Sequence, residues 1–163
     1  MEKIGEEIED VKVDWNEPPL RRWLGEITRE NTKRAYRQAW KAYVQYTGKT
    51  ANELLDEAFE DAKRDPRERK GILIHRLLGF YKWLVKEYPV KNRGSGKHFV
   101  IRKGLRPKSA VMFVNAVRSF YATFGLNVKL KGKSRLPTPR VVNKRMLLTN
   151  AEVKALVDHA RNP

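Results

Sequence analysis

A chain of 163 residues is long enough to bury one hydrophobic core, and 40% hydrophobic with 10% aromatic residues is the content of a folded protein. It has no cysteine, which excludes disulfides, thiolate metal sites and thiol catalysis together. Apolar runs are only a few residues long and the first residues are acidic. Neither a membrane span nor a signal peptide is therefore expected, and the expected location is cytoplasmic.

The net charge of +16 is unevenly placed. Residues 1–87 hold 18 Lys/Arg against 17 Asp/Glu, residues 88–151 hold 15 Lys/Arg and no acid, and residues 152–163 hold two of each. A segment so one-sided repels itself until a polyanion neutralises it. Its cations lie in loops as well as in helical stretches, without the basic amphipathic helix of an interfacial anchor. Nucleic acid is the expected partner, and a membrane is not.

Residues 1–17 form an acidic tail that is either loose and solvated or docked as a strand or helix on a basic neighbour. Pro18 and Pro19 end it and start a short helix through Leu20, Trp23, Leu24 and Ile27. A second helix is predicted from about Asn31 to Thr47, stopped by Gly48. Ala35, Tyr36, Ala39, Trp40 and Tyr43 make its inner stripe, while Arg34, Arg37, Gln38, Lys41 and Gln45 line the far side. Thr32, Lys33 and Arg34 fall in its first turn, where free backbone N–H groups favour an anion.

Thr50 and Glu53 have the spacing of a capping box and open a helix to about Arg64. Asp56, Glu57, Glu60 and Asp61 read as its outward acids, turned away from any nucleic acid. Asp65, Pro66 and Glu68 form a second start signal, for a long helix to about Tyr88 in which Gly79 permits a close crossing. Residues 90–106 then read as a basic loop with Arg102, Lys103 and Arg106, in which Phe99 to Ile101 is a short strand or a hydrophobic anchor.

The helix of residues 108–124 organises the chain. Pro107 sets its entry, Ser109 can cap it, and Gly125 stands where a left-handed residue ends a helix. Ala110, Phe113, Val114, Val117, Phe120, Tyr121 and Phe124 form its apolar face. The opposite face carries Lys108, Met112, Asn115, Ala116, Ser119 and Thr123, which are small or flexible and nearly uncharged where a solvated face would hold Glu and Lys. After Gly125, residues 126–131 alternate like a strand. Residues 129–146 read as a basic linker, with Lys129, Lys131, Lys133 and Arg135 and with Pro137 and Pro139 keeping it extended. Thr149 and Glu152 then open a helix through Val153, Leu156 and Val157, of the kind that belongs to a domain that continues.

No catalytic constellation stands out. His75, His98 and His159 are far apart and lack partners at metal spacing, no Gly-rich phosphate loop follows a strand, and the tyrosines fall on or beside apolar faces. No cofactor or metal is expected, nor catalysis by these residues alone.

The pattern resembles the N-terminal part of tyrosine recombinases, the phage integrase family. Three motifs carry the resemblance, in the family's order: Thr32 with Tyr36, Trp40 and Tyr43; Ser109 with Arg118, Ser119, Phe120 and Tyr121; and Leu147 to Val153 past a basic linker. The resemblance implies an all-α fold, a compact bundle of four to five helices (a SAM-like core-binding domain) spanning 18–128. It also implies a linker at 129–146 and the first helix of a catalytic domain at 147–163. The family clamps double-stranded DNA, with its first long helix and its last helix approaching the major groove. Carried over, the contacts are Thr32, Lys33 and Arg34 on the first; charge placement adds Arg37 and Lys41 from its acid-free outer face and Arg102, Lys103 and Arg106 from the basic loop as further expected DNA contacts. On the last helix the carried-over contacts are Lys108, Ser109, Met112, Asn115, Arg118 and Ser119, with Lys129, Lys131, Lys133 and Arg135 following the backbone. Self-association with other protomers on DNA is implied as well. The family's catalytic residues lie past the opening of its catalytic domain, so no strand cleavage is expected from this stretch. The alternative is a stand-alone basic helical protein for structured RNA or accessory DNA binding.

Overall fold

The structure, a computed structural model, describes residues 9–91, 100–132, 135–137 and 150–161. Among these residues it is mainly helical: α1 (Pro18–Gly25), α2 (Glu30–Thr47), α3 (Ala51–Lys63), α4 (Ile72–Lys86), α5 (Pro107–Thr123) and α6 (Asn150–Arg161). A two-stranded antiparallel hairpin, β1 (Pro89–Lys91) and β2 (Val100–Lys103), stands between α4 and α5. Helices α1 to α5 share one core and form the expected all-α bundle. No described helix is long and apolar enough to cross a membrane.

Aromatic rings make up the centre of the core. Trp23, Trp40, Tyr43, Phe80, Phe120 and Tyr121 are fully buried, with Trp40 and Phe120 at 4.4 Å and Tyr43 and Phe80 at 5.0 Å between ring centroids. Truncating one such ring to Ala costs about 3–5 kcal/mol, because the cavity refills only in part. The hydroxyls of Tyr43 and Tyr121 satisfy each other inside this core at 2.9 Å. Gly79 is the close crossing: a Cβ there would run into the Tyr46 hydroxyl.

Helix ends follow the local signals in places. Thr50 and Glu53 make both bonds of the capping box, and Gly48 ends α2 in the left-handed region at φ 66°. Gly125 is left-handed at φ 79°, the Leu126 N–H reaches the Tyr121 carbonyl, and the Gly125 N–H reaches that of Ala122. These two bonds are a Schellman closure of α5.

Elsewhere the structure departs from expectation. Asp65 and Pro66 do not start α4. Residues 65–68 form a turn in which the Asp65 carboxylate accepts from the Arg67 N–H, and the helix begins at Ile72 after a left-handed Gly71. Asp61 is the reason. Instead of pointing outward it is buried, and its carboxylate accepts from the backbone N–H groups of Lys70 at 2.9 Å and Ile72 at 3.3 Å. It thus caps α4 from α3, and the Lys70 N–H chiefly holds its carboxyl below the usual carboxylate range. Glu57 is not free either, pairing with Lys49 and with Arg76 of α4.

Ala35 is exposed, so the inner stripe of α2 is Ala39, Trp40, Ala42 and Tyr43 with Tyr36 half-buried. Ser109 caps nothing; Arg106 is the N-cap and Pro107 the first residue of α5. The stretch after Lys91 is not all loop, since Val100–Lys103 pairs with Pro89–Lys91. Residues 126–131 have no strand partner, yet their alternation is real: Leu126, Val128 and Leu130 lean on the core while Asn127, Lys129 and Lys131 are exposed. Their apolar side packs on the helical bundle instead of pairing in a sheet.

Candidate nucleic-acid interface

The exposed polar side chains of helix α5 lie along its first half. Lys108, Met112 and Asn115 are exposed there, Met112 at 59%, and Ser109 is half-buried. Along the second half α1 covers part of the outer face, leaving Ala122 exposed in a cleft of about 400 Å³ lined also by Trp23, Glu26, Ile27, Tyr36, Ser119 and Thr123. Ala116, expected outside, is buried, and the Ser119 hydroxyl accepts from the Trp23 indole at 2.9 Å while donating to the Ala116 carbonyl at 2.7 Å. The Thr123 hydroxyl lies 3.1 Å from the Glu26 carboxylate, to which it can donate. Ser119 is thereby a packing residue between α1 and α5.

Arg118 is also committed internally. It donates to Asn115 Oδ1 at 3.2 Å and to the Val128 carbonyl at 2.7 Å, tying the chain after Gly125 to α5. Asn115, Arg118 and Arg135 line one shallow cleft of about 240 Å³ with Val111, Leu130, Leu136 and Pro137. Lys129 and Lys131 are exposed beside it in sequence; Lys133 lies outside the described residues.

The hairpin brings a second cationic group to the entrance of α5. Arg102, Lys103 and Arg106 are exposed, as is Ile101 at 54%. Their backbone is fixed to the end of α4, since Gly104 N–H donates to the Tyr88 carbonyl at 2.8 Å and Leu105 N–H to that of Leu84 at 2.7 Å. Gly104 is at φ 86°, and a Cβ there would strike the Val85 carbonyl, so only glycine fits this exit.

Helix α2 carries the third group. Thr32 and Lys33 are half-buried and Arg34 is exposed, with Lys33 paired to Glu30 at 3.4 Å. The first turn has no side-chain cap. Arg34, Arg37, Gln38, Lys41 and Gln45 line a cleft of about 400 Å³, but they share it with Asp10, Val11, Trp15, Tyr88 and Lys91. The acidic tail, as far as residues 9–17, is therefore docked, as an irregular segment on a basic neighbour. Asp10 Oδ1 accepts from Lys91 Nζ at 2.9 Å and Oδ2 from Lys41 Nζ at 3.1 Å. The Lys91 bond, then the Lys41 bond, holds the Asp10 carboxyl down at about 2. The Arg37 guanidinium lies over the Trp15 ring at 5.8 Å.

The candidate residues thus fall into clusters. Arg34, Arg37 and Lys41 come together on α2, and Asn115, Arg118 and Arg135 beside the open half of α5. Lys91, Asp10 and Trp15 were not among the expected contacts. Lys91 is 81 residues from Asp10, and no local pattern joins them. Among the described residues no three His, Cys, Asp or Glu side chains come together as a metal site would need. Comparisons of the chain with family models, with curated proteins and with solved structures find no match.

Proposed function

We propose that this chain grips duplex DNA as the core-binding part of an integrase-type site-specific recombinase. One observation carries the proposal. Arg102, Lys103, Arg106, Lys108, Met112 and Asn115 follow each other from β2 into the open half of α5, are all exposed, and belong to the segment without a single acid. Cations of this kind hold phosphates, whereas Met112 and Asn115 offer base contacts: an apolar touch on a thymine methyl, and the amide pair that matches adenine. The bond from Arg118 leaves Asn115 Nδ2 free to donate and Oδ1 with a second lone pair, so the amide is oriented without being used up. No strand cleavage is assigned to these residues.

The test is competition. Labelled duplex is challenged with unlabelled duplex or with structured RNA at equal phosphate concentration. Duplex should compete better; if structured RNA competes better, the chain is a basic RNA-binding protein instead. Lys108→Ala and Asn115→Ala should weaken a preferred site more than random duplex. Equal losses on every sequence would show that α5 does not read bases.

A further inference from the structure

The cleft between α2 and β1 is filled at its cationic centre by the protein's own carboxylate. Four cations, Arg34, Arg37, Lys41 and Lys91, surround it, and the acid placed among them is Asp10. Its two oxygens take one ammonium each, Lys91 and Lys41, brought from two different elements. A phosphodiester presents the same chemistry: one negative charge shared by two terminal oxygens that accept charge-assisted bonds. Arg37 is diverted as well, over the ring of Trp15 five residues further along the same segment.

Ion pairs of this exposure are weak. The Asp10 side chain is 48% accessible and that of Lys41 37%, so solvent and salt screen this pair, while Lys91 is more sheltered at 21%. A carboxylate this accessible can be exchanged for a stronger anion without any helix moving.

We propose that Lys41 and Lys91 form a phosphodiester site, and that Asp10 occupies it as an intramolecular stand-in that a bound polyanion displaces. The site extends the DNA-binding proposal above and rests on it for the identity of the polyanion. It adds a contact on α2 and β1, away from the open half of α5, and makes residues 9–17 a competitor for that contact.

Three variants test it, with a 20-base-pair duplex and, separately, inorganic tripolyphosphate as probes. Asp10→Asn removes the competing charge and keeps the shape, Asp10→Glu keeps the charge, and Glu9→Gln removes one charge from the neighbouring residue. Asp10→Asn should bind the duplex three- to tenfold tighter than the unaltered protein at 0.1 M salt, with Glu9→Gln and Asp10→Glu within twofold of it. If Asp10→Asn gains no more than Glu9→Gln, or binds more weakly, the inference is overturned, and the Asp10 contact is only a structural tie. If no form binds duplex even at low salt, the DNA proposal fails, and the phosphate probe decides the site. Tighter tripolyphosphate binding by Asp10→Asn alone upholds it; equal binding by all forms overturns it.

Discussion

The Trp23 indole donates to the Ser119 hydroxyl at 2.9 Å, and that bond divides the outer face of α5 in two. Up to Asn115 it carries exposed polar side chains; beyond it Ala116 is buried and Ser119 is held by α1, while Ala122 stays exposed in a cleft beside it. Ser119→Ala should therefore cost about 1 kcal/mol of stability, the worth of a hydrogen bond, and leave duplex affinity within about twofold. Asn115→Ala should do the reverse. Its stability should stay within about 0.5 kcal/mol, while discrimination between a preferred site and random duplex falls by about 1–3 kcal/mol. Urea melts and competition binding on the two variants check both halves.

Affinity for duplex should depend steeply on salt. With about six phosphates neutralised, the slope of log affinity against log salt is about −5, at about 0.9 per phosphate. Lys131→Ala should weaken all sequences alike and flatten the slope by about 0.9. A slope near zero for the unaltered protein would mean that the acid-free segment does not face a polyanion.

Docking of the acidic tail should be lost in acid. Lys91 and Lys41 hold the Asp10 carboxyl at about 2, below the ordinary aspartate value of about 3.9. The contact therefore stabilises fully above about pH 4 and fades as pH falls toward 2, when the folded state too must take up the proton. The Trp15 indole N–H resonance should shift across that window in the unaltered protein and not in Asp10→Asn.

At high pH the core is the sensitive element. Burial pushes the Tyr121 phenol up to about 12, above the ordinary value of about 10, and raises Tyr43 likewise. The unfolded chain loses these protons first, so stability should fall as pH rises from about 10 to 12. Tyr121→Phe should flatten that loss in melts across the window, though it leaves the Tyr43 hydroxyl without its partner and lowers the neutral-pH melting point.

Two backbone positions separate local from tertiary signals. Thr50→Ala breaks the capping box and should cost about 1 kcal/mol. Gly104→Ala places a Cβ against the Val85 carbonyl in a left-handed conformation and should cost more than about 2 kcal/mol. Chemical denaturation of both variants orders the two effects; a Gly104→Ala protein as stable as the unaltered one would refute the close approach.

What could be read from residues alone was what depends on near neighbours. The box at Thr50, the stops at Gly48 and Gly125, and the spacing of Trp40, Tyr43, Phe120 and Tyr121 all act within one or two helical turns. Charge segregation was equally plain, because it needs no structure. Asp61 shows the limit. On a helix rich in acids it reads as solvated, and only the return of the chain at Lys70 and Ile72 turns it inward. Asp65 with Pro66 suits a tight turn as well as a helix start, so the same letters served the other element. The cleft on α2 was half legible: its cations are periodic, but its carboxylate and Lys91 arrive from elsewhere.

The bonds from Arg118 to the Val128 carbonyl and from the Leu126 N–H to the Tyr121 carbonyl have a kinetic meaning. They preorganise residues 126–130 along α5, so the conformational entropy of that stretch, about 1–2 kcal/mol per residue, is lost on folding and not on association. A ligand meeting Asn115 and Lys129 together then encounters a rigid template, and its dissociation should be a single step, without a slow phase from a loop that must first disorder.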